Sequence, residues 1–359
     1  MPCTHPNLAW PVGKHPSGST KYYITEYNDD IDHVEITDRG SVAICYLSKR
    51  SPVAKKVIRR KDALVIPCGQ CIGCRMDYSR EWADRIITEI PYHESAYFLT
   101  LTYDDAHLPI NEYVDPETGV IGSIATLVPQ DVTLFVKRLR RYVDYHSLYN
   151  FLPSGEPDKL MYFFAGEYGS QTRRPHYHAI IFGLRLDDLK LYKQSTQGNP
   201  YYNSEMLNRI WGKGYVVVAD ANWQSAAYVA RYILKKQTGD NKEIYERFNY
   251  APEFTRMSLK PAIGRQFALD HMDELFKYDS VPVSTPDGGR NIRPPKYFKK
   301  LMKDADPDAY ERRQLDARKA AEVMNELKLS RTDKTYMELM EVMDEQMQAT
   351  VRRLPRPDL

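Results

Sequence analysis

The chain has 359 residues, 42% of them hydrophobic and 27% charged, with a formal net charge of +2. This length supports a sizeable core and two or three domains, and the composition is that of an ordinary globular protein. No run of about eighteen apolar residues and no basic-then-apolar leader occurs, so the expectation is a chain with no membrane segment, working in the cytoplasm; no G-x-x-x-x-G-K-[ST] occurs, which argues against a P-loop ATPase.

Residues 1–66 are rich in Pro and Tyr and carry short alternating runs such as SVAICYL, the pattern of small strands and loops. Cys45, in the middle of that run, is expected in a buried core. Residues 47–62 hold seven Lys or Arg and one acid, and the stretches 135–143 and 290–303 are also basic. Three such runs, with 27 Tyr against 11 Phe, suit a polyanion whose bases offer planar faces.

Cys68, Cys71 and Cys74 recur every third residue, a spacing that lets thiolates wrap one ion. Three thiols are one short of a closed structural Zn²⁺ site, and Cys3 is the candidate fourth ligand, with His5 close by. An iron–sulfur cluster and free thiols are the alternatives, the cluster weakened by the missing C-P ligand.

Trp82, Ile86 and Ile90 then recur at helical spacing. SAYFLTLTYDD (95–105) alternates as a strand, and YVDPETGVIGSI reads as a hairpin around a Pro-Glu-Thr-Gly turn. PQDVTLFVKRLRRYVDYH (129–146) is an amphipathic helix with Leu134, Val136 and Leu139 among arginines. KLMYFFAGEYG and RRPHYHAIIFG read as two strands of a hairpin, WGKGYVVVA (211–219) as another strand, and WQSAAYVARYILKKQ (223–237) as a helix. The expected fold class is α+β: an antiparallel sheet backed by helices, a Cys-rich N-terminal region and a helical C-terminal tail. The expected boundaries are 1–92, 93–280 and 281–359.

Two constellations carry chemistry. His176 and His178 are two apart and share a face of their strand, and Glu167 lies nine residues earlier on its neighbour. Two imidazoles and one carboxylate leave coordination positions open, as a catalytic divalent ion requires. Structural sheet histidines are the bland alternative. On the helix, Tyr228 and Tyr232 share one face with Lys235, while Ala226, Val229, Ala230 and Ile233 cover the other. A phenol with a pKa of about 10 is a poor nucleophile unless a metal polarises the phosphorus centre and a cation stabilises the phenolate. Attack on a DNA phosphodiester would leave a phosphotyrosine and a free 3′-hydroxyl. Arg173 and Arg174, beside the metal strand, are candidate phosphate contacts. Thr100, Thr102 or Tyr103 in FLTLTYDD could also touch DNA.

RRPHYHAIIFG and YVARYILKK resemble the metal and two-tyrosine motifs of HUH endonucleases, the rolling-circle replication initiators, and FLTLTYDD is similar to their first motif. PCGQCIGCRMDYSREWADRIITE, FAGEYG and HYHAIIFG resemble the replication initiation proteins of gokushoviruses (Microviridae). The resemblance spans roughly 65–265. It implies an HUH/ferredoxin-like sheet with helices on one face, and Mg²⁺ or Mn²⁺ at Glu167, His176 and His178. It further implies Tyr228 and Tyr232 as nucleophiles, Lys235 as their cation, and Arg231, where related motifs often carry Lys, as a DNA-binding cation. The implied role is nicking single-stranded origin DNA in a bacterial host, with a host helicase and DNA polymerase supplying unwinding and synthesis. A plasmid relaxase or transposase, and a non-catalytic zinc-stapled single-stranded nucleic-acid binder, are the rival readings.

Overall fold

The structure, a computed structural model, describes residues 3–353 apart from 38–39, 47–53, 170, 196–197, 232–242 and 286–287. Its contacts divide the chain into two compact units, one of Met1–Arg75 with Leu329–Leu354 and one of Met76–Lys328 with Pro355–Leu359.

The first unit contains two three-stranded antiparallel sheets. Its strands are β1 (Asn7–Lys14), β2 (Thr20–Glu26), β3 (His33–Thr37), β4 (Val42–Cys45), β5 (Ala54–Arg59) and β6 (Leu64–Ile66). They pair in the orders β2-β1-β6 and β4-β3-β5. Leu8, Trp10, Ile31, Val34 and Ile58 form its core, and the Trp10 indole donates to Thr25 Oγ1 at 3.0 Å, so the largest buried ring leaves no polar atom unmatched. The helix Tyr336–Arg353 belongs to this unit and buries Met340 and Met347.

The second unit is built on one seven-stranded sheet. In chain order its elements are α1 (Ile72–Glu89, counted in this unit from Met76 on), β7 (Ala96–Tyr103), the hairpin β8 (Ile110–Val114) and β9 (Ile121–Ala125), α2 (Pro129–His146), β10 (Met161–Tyr168), β11 (Pro175–Phe182), β12 (Leu189–Gln194), β13 (Pro200–Ser204), α3 (Glu205–Trp211), β14 (Gly214–Asp220), α4 (Trp223–Arg231), a short helix Glu243–Arg247 and β15 (Phe254–Met257). The sheet order is β12-β13-β14-β7-β11-β10-β15, all antiparallel.

Both faces of the sheet are covered, not one. Leu99 and Leu101 of β7, Phe164 of β10 and Tyr177, Ala179 and Ile181 of β11 pack under Val132, Phe135, Val136 and Leu139 of α2. The alternate residues Phe98, Phe163, Ala165, Ile180 and Phe182 pack under Trp82, Ala83 and Ile86 of α1 and Ala226, Val229 and Ala230 of α4. Strands buried on two sides read as continuous apolar runs, which is why AIIF at the end of β11 does not alternate. Each buried Val, Leu, Ile or Phe among them stabilises the fold by about 1.5–3 kcal/mol relative to exposure. Leu134 is exposed on α2, where an apolar position was expected.

The end of β11 requires glycine. Gly183 has φ +71°, and a Cβ there would lie 2.8 Å from both Asp158 Oδ1 and the Lys159 carbonyl. Trp211, expected at the head of a strand, instead ends α3. Ser204 caps that helix through Leu207 N–H at 3.1 Å, and Gly212 at φ +63° closes it. The tail expected to be helical starts as a hairpin, Val281–Thr285 with Gly288–Ile292, before its helices follow. The helix Pro307–Leu329 buries none of its residues, in keeping with its charged sequence.

Candidate metal and tyrosine site

The β10–β11 hairpin assembles the first site. Its turn is closed by Gly169 N–H to the Arg174 carbonyl and Arg173 N–H to the Gly169 carbonyl, each at 3.0 Å. That closure sets the register in which Glu167 faces His176 directly. His178 lies two residues further on the same face. Glu167 Oε1 stands 2.6 Å from His176 Nε2 and 3.2 Å from His178 Nε2. Glu167 and His178 are buried, and His176 is partly open to solvent.

The far sides of the two rings decide what the near sides can do. His176 Nδ1 is 3.2 Å from the Arg174 carbonyl, which only accepts, so Nδ1 carries the ring proton. In a neutral ring Nε2 is then a lone pair, aimed at a carboxylate oxygen. His178 Nδ1 is 3.0 Å from Thr100 Oγ1, its cross-strand partner on β7, and that hydroxyl can accept the Nδ1 proton. Lone pairs of two imidazoles and one carboxylate thus converge, an arrangement that calls for protonated rings or a bound cation. Burial by itself would raise the Glu167 carboxyl, but the hydrogen bonds and charges of His176 and His178 outweigh it and hold the group well below the usual range. The three side chains can hold one metal ion, with all ligand atoms within 4.8 Å of one another.

The α4 helix brings Tyr228 to this point. Its ring lies 5.2 Å from the His178 ring in an edge-to-face arrangement and 6.0 Å from Phe98, which itself stacks on His178 at 5.5 Å. Ala226, Val229 and Ala230 of α4 are fully buried against the sheet, and Tyr228 packs against that same cluster, which brings its ring to the sheet face that carries His178. Arg231 places its guanidinium 5.9 Å from the Tyr228 ring centre. Tyr232 and Lys235 lie outside the described residues.

The two turn arginines are held by the protein. Arg174 donates to Asp105 Oδ1 at 2.7 Å and to the Tyr103 carbonyl at 3.0 Å, and Arg173 donates to the Tyr250 hydroxyl at 3.2 Å. Tyr103, considered for a DNA contact, is buried and donates to Asp131 at 2.6 Å. Thr100 is buried beneath the histidines and positions His178. That role was readable from alternation: once His178 faces the site, its β7 partner and Phe98 must share that face.

A separate site lies in the first unit. Cys3, Cys68, Cys71 and Cys74 bring their sulfurs within 4.8 Å of one another and can hold a metal ion. Backbone N–H groups of Cys68, Cys71 and Cys74 point at the sulfurs of Cys3, Cys68 and Cys71 at 3.2, 3.3 and 3.5 Å. Burial pushes the Cys3 thiol up to about 11. Cys71, against the same burial, is drawn down to about 6 by the Thr4 hydroxyl and nearby backbone N–H groups. One thiolate therefore forms readily at neutral pH, as a first metal ligand must. His5 is not part of the cluster; its ring meets Thr4 Oγ1 at 3.0 Å.

Comparison with known proteins connects these features. A family model described as replication-associated protein ORF2/G2P matches residues 96–237, from the first residue of β7 to beyond Arg231. The chain is 35% identical over 240 residues to the replication-associated protein ORF2 of Spiroplasma virus 4, covering 66% of this chain and 67% of that one. It is 31% identical over 257 residues to the replication-associated protein VP4 of Bdellovibrio phage phiMH2K, covering 72% and 73%. With the replication-associated protein ORF4 of Chlamydia phage 1 it shares 28% identity over 253 residues, 66% of this chain and 53% of the relative. No solved structure matches.

Proposed function

The chain belongs to the family of phage replication-associated proteins, and from that premise we propose that it initiates rolling-circle replication by nicking single-stranded origin DNA through a tyrosine. The convergence of Glu167, His176 and His178 beside the Tyr228 ring carries the reading. In the proposed step the Tyr228 oxygen forms a bond to phosphorus as the bond from phosphorus to the 3′ oxygen breaks. The phenol gives up its proton and the released 3′ oxygen gains one, so a phosphodiester is exchanged for a phosphotyrosine without net hydrolysis. The strand's 5′ side stays on the protein while the free 3′-hydroxyl primes synthesis.

Mg²⁺ or Mn²⁺ held by the three ligands would polarise the scissile phosphate and offset its charge. Glu167 and the two Nε2 atoms supply that grip, with Thr100 and the Arg174 carbonyl fixing ring orientation from behind. Arg231, with its guanidinium 5.9 Å from the Tyr228 ring centre, would hold a DNA phosphate beside the nucleophile. Lys235 would balance charge in the transition state, and Tyr232 would take the second transfer that rejoins the displaced strand. Arg174 would exchange its pair with Asp105, 93% exposed and contributing at most about 1 kcal/mol, for a DNA phosphate, while its hydrogen bond to the Tyr103 carbonyl keeps the guanidinium at the turn. Arg173 is the second phosphate contact. In this reading Zn²⁺ closes the four-cysteine site as a structural staple, and the host cytoplasm supplies helicase and polymerase.

The test is a denaturing gel of protein incubated with single-stranded DNA from the phage origin, with Mn²⁺ or EDTA. Wild type, Tyr228→Phe, Tyr232→Phe and the double variant are compared. The proposal expects a covalent adduct that requires the metal and disappears in the double variant. Binding without any adduct would leave a non-catalytic single-stranded-DNA binder as the better account.

A further inference from the structure

The first unit carries a second group of ligand-type side chains, unconnected with the cysteine cluster. His33 and Glu35 are two apart on β3 and share a face, and Cys45 is the β4 residue paired with His33. One nitrogen of His33, one oxygen of Glu35 and the sulfur of Cys45 lie within 4.8 Å of one another. His33 and Glu35 are 2% and 4% exposed. Cys45, expected in a closed core, is half-buried, so the group can be reached from one side.

Proton positions limit what this group can be. His33 Nδ1 is 2.7 Å from Asp32 Oδ2, and a carboxylate only accepts, so Nδ1 carries a proton. Nε2 stands 3.3 Å from Glu35 Oε1. In a neutral imidazole Nε2 would set its lone pair against that Glu35 oxygen, a clash that a cation shared by the two atoms relieves. A second ring proton would resolve that clash but gives the nearby thiol no part. A metal ion gives all three atoms a role, and the Asp32–His33 pair is the carboxylate–imidazole arrangement that orients metal-bound histidines.

We propose that His33 Nε2, Glu35 and Cys45 bind a zinc ion, with Asp32 orienting the imidazole. A nitrogen, an oxygen and a thiolate form a mixed donor set that suits Zn²⁺, whereas Mg²⁺ and Ca²⁺ favour oxygen alone. Three protein ligands leave the fourth tetrahedral position to water on the side where Cys45 is open. The ion ties β3 to β4. The assignment is independent of the nicking reaction, because none of these residues belongs to the tyrosine site.

The test is zinc content per folded chain, measured by mass spectrometry of the metal after dialysis into zinc-free buffer. Wild type is compared with His33→Gln, Glu35→Gln and Cys45→Ser, with circular dichroism as the check of folding. Each variant is expected to hold one zinc fewer than wild type, and all three by the same amount. Equal zinc in wild type and variants would overturn the proposal and leave a protonated His33 between Asp32 and Glu35. A readout that tolerates a poorly folding variant is alkylation of Cys45 in the wild-type chain. Added Zn²⁺ should shield this thiol and Mg²⁺ should not; equal labelling with both would refute the site.

Discussion

Thr100→Val isolates the support of the proposed metal triad from the triad itself. The substitution nearly conserves volume at a buried position and deletes one hydroxyl, the atom 3.0 Å from His178 Nδ1. His178 keeps its ring, its contact with Glu167 and its stacking on Phe98, but loses the partner that orients it. Loss of such an outer partner typically weakens metal binding 10–100-fold, about 1.4–2.7 kcal/mol. A buried ring N–H left unmatched costs about 1–3 kcal/mol, which would also appear as a lower unfolding midpoint. The assay is adduct formation against Mn²⁺ concentration. The half-maximal concentration should rise by about one to two orders of magnitude, adduct formation at saturating Mn²⁺ should stay near wild type, and Thr100→Ser should restore the metal response. DNA binding in EDTA should not change. An unaltered Mn²⁺ response in a folded Thr100→Val chain would refute the view that this hydroxyl tunes a metal ligand.

Other consequences concern stability. His93 sits between buried Asp158 and Glu89, at 2.5 and 3.2 Å; burial alone would lower it, but those two carboxylates raise it to about 9. The folded value is above the usual 6.5 or so, so this support is complete below about pH 6.5, is lost as pH rises through about 9, and amounts to ~3 kcal/mol. Urea midpoints at pH 7 and pH 10 should converge in His93→Gln, and a parallel alkaline loss in both proteins would refute the assignment. Gly183→Ala forces a Cβ into the 2.8 Å gap at a left-handed φ, for a loss of about 2 kcal/mol or more in chemical unfolding; a neutral result would mean that the strand end rearranges freely. Cys71→Ser removes the most acidic thiol of the four-cysteine cluster and should lower both zinc retention and the melting temperature, whereas a metal-independent melting temperature in the wild type would argue for free thiols.

Much of the sheet was legible in the sequence because its periodicity is local. Alternation marked β7, the FAGEYG and HYHAIIFG runs marked β10 and β11, and the spacing of Ala226, Val229 and Ala230 gave the buried face of α4. Short elements were less legible. The segment PYYNSEMLNRI, before the expected strand at 211, carries no periodic pattern, yet it holds β13 and most of α3, signalled only by the Ser204 and Gly212 caps. The edge strand β15 is four residues long, too short for a periodic pattern.

Residue types and spacing by themselves picked out the candidate groups: two same-face histidines, a carboxylate nine residues away, a tyrosine on an amphipathic helix, and clustered thiols. Only the tertiary structure decided who meets whom. It set Glu167 opposite His176 through the closed turn, put Thr100 rather than solvent behind His178, and brought Cys3 across 65 residues to Cys68. It also packed helices on both faces of the sheet and drew Cys45 beside His33 and Glu35 instead of into a sealed core. The physical reason is the range of the forces that decide. Periodicity and capping act over one or two turns of chain, whereas register, packing and the convergence of lone pairs depend on contacts between segments far apart in sequence.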